Sequence, residues 1–122
     1  MKTVLIIEDN YEIRENITEI LELEGYKVTV ANDGGSGLQI AIKHLPGIIL
    51  CDIMMPILNG YEVLRLLKEN PTTANIPFIF ISASTEKKDI QFGIDLGAIA
   101  YIRKPFELEE LLDAVALYFP KQ

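Results

Sequence analysis

At 122 residues with a hydrophobic fraction of 49%, the chain fits one domain able to bury roughly two-thirds of the surface its unfolded form exposes, and no apolar stretch approaches the ~18 residues of a membrane span. Its formal net charge of -7 repels nucleic-acid phosphates, which argues against direct nucleic-acid binding and points to proteins as partners. One cysteine, Cys51, excludes an internal disulfide, and its place in an apolar run makes it inert core rather than a reactive thiol.

Met1-Lys2-Thr3 leads directly into the first apolar run with no charged-then-apolar leader, so a cytoplasmic location is the default expectation. The first strand is predicted at about Thr3 to Ile7, after which Asn10 can cap a helix carrying Ile13, Ile17, Ile20 and Leu21 on one face, stopped by Gly25. A second strand runs from Lys27 to Ala31. The second helix, near Ser36 to His44, opens on Gly34-Gly35-Ser36-Gly37, and each glycine inside a helix costs about 1 kcal/mol relative to alanine, so its first turn should fray. His44, the only histidine, is expected to be a surface or capping residue. The third strand ends at Cys51, and beyond the Asp52 loop a helix from about Gly60 to Glu69 turns Val63, Leu64 and Leu67 inward until Asn70-Pro71 ends it. Pro77 to Ile81 forms the fourth strand, Glu86 to Leu96 the fourth helix, Ile99 to Arg103 the fifth strand, and Glu107 to Phe119 a last helix with Leu108, Leu111, Leu112 and Val115 at helical spacing. On the fourth helix Ile90, Gly93 and Ile94 share a stripe, while Phe92 lies well off it.

Strand and helix patterns alternate without interruption, which implies βα units with right-handed crossovers and a (βα)5 three-layer sandwich over a parallel sheet. No linker, repeat or second domain is visible, so a stand-alone domain without a covalently attached output module is expected.

Charge gathers where three apolar runs stop: Glu8-Asp9, Asp52, and Arg103-Lys104-Pro105. Ligands bind outside the carboxyl ends of strands in an open parallel sheet, so carboxylates and an ammonium converge on one edge. Such a cluster destabilises the empty fold and suits a divalent cation: one or two carboxylates, a backbone carbonyl and waters are what Mg2+ prefers. Glu8 and Asp9 are adjacent and point different ways, so one touches an ion directly while the other acts through water. A carboxylate beside such a cation can act as nucleophile toward phosphorus, and the Ser82 hydroxyl and Lys104 ammonium can neutralise the remaining phosphoryl oxygens. Singly, each of these is an ordinary cap, turn hydroxyl or solvated charge. Their joint appearance at four strand ends is hard to attribute to capping.

The chain resembles a response-regulator receiver domain of two-component signalling, of the single-domain chemotaxis-regulator type, over essentially all of residues 1–122. The resemblance rests on Glu8-Asp9, on Cys51-Asp52-Ile53-Met54-Met55-Pro56 with Asn59-Gly60, on Ile81-Ser82-Ala83, and on Gly97-Ala98 leading through Tyr101 to Lys104-Pro105-Phe106. It implies a flavodoxin-like fold with strand order 2-1-3-4-5. It also implies Asp52 as phospho-acceptor, Mg2+ (Mn2+ substituting) on Asp9, Asp52 and the Met54 backbone carbonyl, and Glu8 acting through water. Ser82 and Lys104 would contact the phosphoryl group, and the Lys104–Pro105 bond would be cis. The implied donor is a sensor histidine kinase or histidine phosphotransfer protein, and the domain catalyses only its own phospho-acceptance and autodephosphorylation. Ser82 would move toward the phosphoryl group and Tyr101 swing inward, remodelling the face of the fourth helix, fifth strand and fifth helix, where an output protein or a second copy would bind; no membrane partner is implied.

Three departures from the family pattern stand out. Ile99-Ala100 replace the usual polar residues, so Ile90, Phe92, Ile99 and Tyr101 offer an apolar partner face, with ordinary packing of Phe92 against a neighbouring helix as the alternative. Met54 and Ser84, at positions associated with phosphoryl loss, are neither acids nor amides able to orient water, which implies a long-lived aspartyl phosphate. The glycines near Gly34 have no evident functional role. Competing readings are a phosphate shuttle or sink, an aspartate-nucleophile phosphatase, which would need an Asp where Met54 stands, and a flavin binder, whose phosphate loop Glu8-Asp9 would repel.

Overall fold

Short apolar runs alternating with amphipathic helices bury both kinds of surface by layering helices on each face of a sheet, and the computed structural model, which describes residues 2–121, does this. Five parallel strands, β1 (Thr3–Ile7), β2 (Lys27–Ala31), β3 (Ile48–Asp52), β4 (Phe78–Ser82) and β5 (Ala100–Arg103), form one sheet in the order β2-β1-β3-β4-β5. Helices α1 (Tyr11–Leu23), α2 (Gly34–His44), α3 (Gly60–Glu69), α4 (Lys87–Leu96) and α5 (Leu108–Tyr118) alternate with them. This is the flavodoxin-like (βα)5 sandwich that the alternation and the resemblance imply.

Successive strand residues point to opposite faces, and here both faces are apolar. Leu5, Ile7, Ile49, Cys51, Phe78 and Phe80 pack with Ala41 of α2 and Val63, Leu64 and Leu67 of α3. Val4, Ile6, Ile48, Leu50, Ile79, Ile81 and Ile102 pack with Ile17 and Leu21 of α1 and Leu111 and Val115 of α5. Burial pushes the Cys51 thiol well above its ordinary range, helped by the charges of Asp52 and Glu8, so it is core and not nucleophile.

The structure moves some expected boundaries and corrects some expected faces. Helix α2 starts at Gly34, two residues earlier than its glycines suggest, because the Asp33 carboxylate accepts the Ser36 N–H at 2.7 Å and caps it there. Its glycines permit close approach: a Cβ on Gly34 would meet the Leu58 carbonyl oxygen at 2.5 Å, and one on Gly37 would meet the Ile7 side chain at 2.5 Å. Strands β3 and β4 each run one residue further than expected, taking Asp52 and Ser82 into the ladder. Leu108 is exposed at the first turn of α5, not inward, and Ile94 is exposed on α4, where Gly93 alone is buried, against the Phe80 ring.

Candidate functional site

Strand register assembles the site. Ile7 of β1 is level with Cys51 of β3, Asp52 with Ile81 of β4, and Ser82 with Arg103 of β5, so Glu8, Asp52, Ser82 and Lys104 emerge along one carboxyl edge. Local bonds fix each of them. The Glu8 N–H donates to the Ala31 carbonyl at 3.0 Å, and Arg14 of α1 donates to the Glu8 carbonyl at 2.9 Å. Asn10 caps α1 by accepting the Ile13 N–H, and its own N–H donates to Glu8 Oε2 at 3.2 Å. The Lys104 N–H donates to the Ser82 carbonyl at 2.8 Å, and the Lys104–Pro105 peptide bond is cis.

The loop from Asp52 to Gly60 is closed upon itself. The Gly60 N–H donates to the Ile53 carbonyl at 2.9 Å, and a Cβ on Gly60 would lie 2.2 Å from the Asp52 carbonyl oxygen, so only glycine fits. Asn59 and Glu62 form a reciprocal capping box that starts α3 directly afterwards. Leu58 backs onto Gly34, which gives the glycine-rich start of α2 its structural purpose.

Lys104 Nζ lies 2.7 Å from Glu8 Oε1 and 3.5 Å from Asp52 Oδ1. One carboxylate oxygen each from Glu8, Asp9 and Asp52 falls within 4.8 Å of the others, a grouping able to hold a metal ion. Glu8 and Asp52 are buried while Asp9 is exposed. Partial desolvation at its inner side, and then the neighbouring Glu8, raises the Asp9 carboxyl above its ordinary range. Asp52 Oδ1 also accepts the Ile53 N–H at 2.8 Å. Hard carboxylate oxygens brought together at a solvent-open edge match the donor set of Mg2+.

Around this centre, Ser82 is buried and its Oγ accepts the Ser84 N–H at 3.4 Å. Ser84 Oγ is engaged with Asp89 Oδ2 at 2.6 Å, and the Tyr101 hydroxyl donates to the Ser84 carbonyl at 3.3 Å with its half-buried ring tilted against Phe80. The Met54 side chain is exposed. On the face where a partner is expected, Ile90 is half-buried, Ile99 is exposed, and Phe92 is 51% exposed while its ring meets the Tyr61 ring edge to face with centroids 4.8 Å apart, so exposure and ordinary packing coexist there. Beside Lys104 a groove is lined by Ile13, Asn16, Ala83, Pro105 and Phe106.

Two residues near the site escape the sequence pattern. Tyr61 reads as an ordinary residue of α3, yet its hydroxyl donates to the Asp89 carbonyl at 3.3 Å. Ile57 reads as one more apolar residue, yet it adopts φ 70° with its side chain in solvent. A β-branched residue directly after a proline in a tight loop was the available signal for Ile57.

A family profile described as the response regulator receiver domain matches residues 4–116. The chain is similar to the response regulator ArlR of Staphylococcus saprophyticus, 38% identical over all of this chain and 54% of the relative. It is also similar to the DNA-binding dual master transcriptional regulator RpaA of Synechocystis, 36% identical over 94% of this chain and 48% of the relative. The chain thus spans about half the length of the curated relatives it matches. Among solved structures, the chemotaxis protein CheY4 of Vibrio cholerae aligns with a TM-score of 0.91 at 29% identity over 97% of this chain and 98% of that one. The receiver domain of the sensor histidine kinase PA1611 of Pseudomonas aeruginosa, solved with a magnesium ion in its active-site cleft, aligns with a TM-score of 0.90 at 27% identity over 97% of both chains.

Proposed function

The chain belongs to the response regulator receiver domain family, and on that premise we propose that Asp52 is its phospho-acceptor, charged by a phosphohistidine donor and read by a protein partner. The observation that carries this reading is the meeting of the Glu8, Asp9 and Asp52 carboxylates within 4.8 Å, with Lys104 Nζ 3.5 Å from Asp52. Mg2+, held by Asp9, Asp52 and the Met54 carbonyl with Glu8 through water, would supply the positive charge that lets a phosphoryl group approach three acids. With Oδ1 addressed by Ile53 N–H and Lys104, Asp52 Oδ2 is the oxygen presented to phosphorus. It forms the new P–O bond as the bond from phosphorus to the donor nitrogen breaks, the electron pair staying on the departing imidazole. Lys104 and Ser82 take up charge on the transferred oxygens.

The added charge of about -1.5 to -2 draws the Ser82 hydroxyl inward and competes for Lys104, now bound to Glu8. Tyr101, bonded to the Ser84 carbonyl two residues beyond Ser82, reports that rearrangement to Ile90, Phe92 and Ile99, where an output protein or a second copy binds. The phosphoryl group shifts this balance only by its differential interaction with the two states. An apolar Met54 side chain and a Ser84 hydroxyl committed to Asp89 leave neither residue to orient a hydrolytic water, which favours a long phosphoryl lifetime.

Intact mass after incubation with Mg2+ and acetyl phosphate tests the reading. One added phosphoryl group is expected in the wild type and none in Asp52→Asn or with excess chelator. Modification that persists in Asp52→Asn would overturn it.

A further inference from the structure

Ile57 carries an apolar side chain into water from a hydrogen-bonded turn that does not call for one. Among the described residues two that are not glycine have positive φ, Leu45 at 48° and Ile57 at 70°. Leu45 is accounted for, because it caps α2 and its N–H donates to the Ala41 carbonyl. At Ile57 the backbone belongs to a turn in which the Leu58 N–H donates to the Pro56 carbonyl at 2.8 Å, but the residue type is unaccounted for: positive φ crowds a branched Cβ, and the side chain, 102% exposed, makes no packing contact in return. The loop cannot relax, since its ends are pinned by Gly60 on the Asp52 backbone and by Leu58 on Gly34. A rigid apolar knob is thus held in water on the same loop as Met54, which is itself 76% exposed.

Resting on the reading of Asp52 as phospho-acceptor, we propose that Ile57 is a specificity-determining contact for the protein that carries the phosphohistidine, seating against an apolar patch next to that histidine. The carrier's imidazole has to come within about 3–3.5 Å of reaction geometry. Asp52 is only 7% exposed at the foot of the site, so the carrier's surface must settle on the rim, one wall of which is the Asp52–Gly60 loop. With a cation offsetting the acids at the centre, the chain's net charge of -7 still works against a phosphorylated carrier at the rim. Apolar area on the rim offsets that cost, and Ile57 presents its whole side chain pre-positioned on a pinned loop, with little ordering left to lose on docking. A small-molecule donor reaches Asp52 without touching this wall.

The test compares two donors on the wild type, Ile57→Asn and Ile57→Val. Asparagine tolerates left-handed backbone, so Ile57→Asn is expected to raise Tm by a few degrees and to leave phosphorylation by acetyl phosphate with Mg2+ unchanged. The protein donor is whichever of the host's autophosphorylated histidine kinases transfers fastest to the wild type. From it, kcat/KM for Ile57→Asn is expected to fall about tenfold, the size of one lost aliphatic contact, through KM rather than kcat, with Ile57→Val restoring most of the loss. A protein-donor rate at the wild-type level in Ile57→Asn would overturn the contact while leaving Asp52 as acceptor. A wild type that neither donor phosphorylates would overturn both.

Discussion

The hydroxyls of Tyr61 and Tyr101 grip one segment from two elements: Tyr61 on α3 donates to the Asp89 carbonyl at 3.3 Å, and Tyr101 on β5 donates to the Ser84 carbonyl at 3.3 Å. Between these anchors Ser84 Oγ meets Asp89 Oδ2 at 2.6 Å, so the start of α4 is tied to both neighbours. Phe80 touches both rings, at 5.3 Å from Tyr61 and 6.3 Å from Tyr101, and Gly93 lets α4 lie close upon it. Each hydroxyl bond is long and neutral, so Tyr61→Phe is expected to cost about 0.5–1 kcal/mol in chemical denaturation. Amide exchange should accelerate over residues 84–90 and stay unchanged in α1. Uniform acceleration across the chain would show that Tyr61 matters only for global stability.

Lys104 is the ammonium that offsets the acids while no cation is bound, standing 2.7 Å from a buried Glu8. In Mg2+-free buffer at pH 7, Lys104→Met is expected to lower stability by about 2 kcal/mol, because a buried carboxylate is left unpaired. Millimolar Mg2+ should recover most of that by binding only the folded state. Thermal melts with and without Mg2+ measure both effects, and a variant indifferent to Mg2+ would argue against a cation site at these acids.

Asp9 gives the opposite sign. Its folded-state pKa is raised above the unfolded value of 3.8, by partial desolvation first and then by Glu8, so the folded form holds its proton longer. Stability therefore falls as pH rises from below 3.8 through the folded value, and at pH 7 the ionised Asp9 is a burden on the empty fold. Asp9→Asn is expected to raise Tm at pH 7 without Mg2+, with the difference from wild type closing as pH drops toward 3.8. The same variant should bind Mg2+ more weakly by titration calorimetry. A Tm gain independent of pH would point to a cause other than charge.

Neighbouring glycines in α2 should respond in opposite directions to alanine. At Gly35 a Cβ would meet nothing nearer than Asp33 Oδ1 at 3.5 Å, so Gly35→Ala is expected to stabilise by about 0.5 kcal/mol. At Gly34 it would run into the Leu58 carbonyl and Val63, so Gly34→Ala should destabilise by roughly 1–3 kcal/mol. Denaturant midpoints decide this, and a pair moving together would contradict the packing described.

At the far end of the sheet Phe119 rests on Gly47, where a Cβ would come within 2.4 Å of the ring, and stacks obliquely on Tyr26 at 5.8 Å. Phe119→Ala is expected to cost roughly 3 kcal/mol while leaving phosphorylation by acetyl phosphate intact, since Asp52, the proposed acceptor, lies at the opposite, carboxyl edge. Equal losses of stability and phosphorylation would mean that the two ends of the sheet are coupled.

Periodicity sufficed for the layers of this protein. Strands buried on both faces need unbroken apolar runs, so Val4 to Ile7, Ile48 to Cys51 and Phe78 to Ile81 declare themselves, and the charges that end those runs declare the site edge. The caps at Asn10 and Gly25 were equally visible, because backbone groups at helix ends demand particular side chains nearby in sequence. What depends on approach between distant segments was not. Intrinsic propensity penalises glycine and so places the start of α2 too late, and only the packed fold reveals that Leu58 and Ile7 require the space. Leu108 and Ile94 fit a helical stripe in sequence, but the width of that stripe covered by neighbouring elements is set by packing, and both fall outside it. The Lys104 to Glu8 bond spans ninety-six positions of chain, and the Tyr61 anchor on Asp89 joins two helices. Local patterns determine which residues are available to a site; the register and packing of the sheet determine which atoms meet, because distance in space is a property of the whole chain.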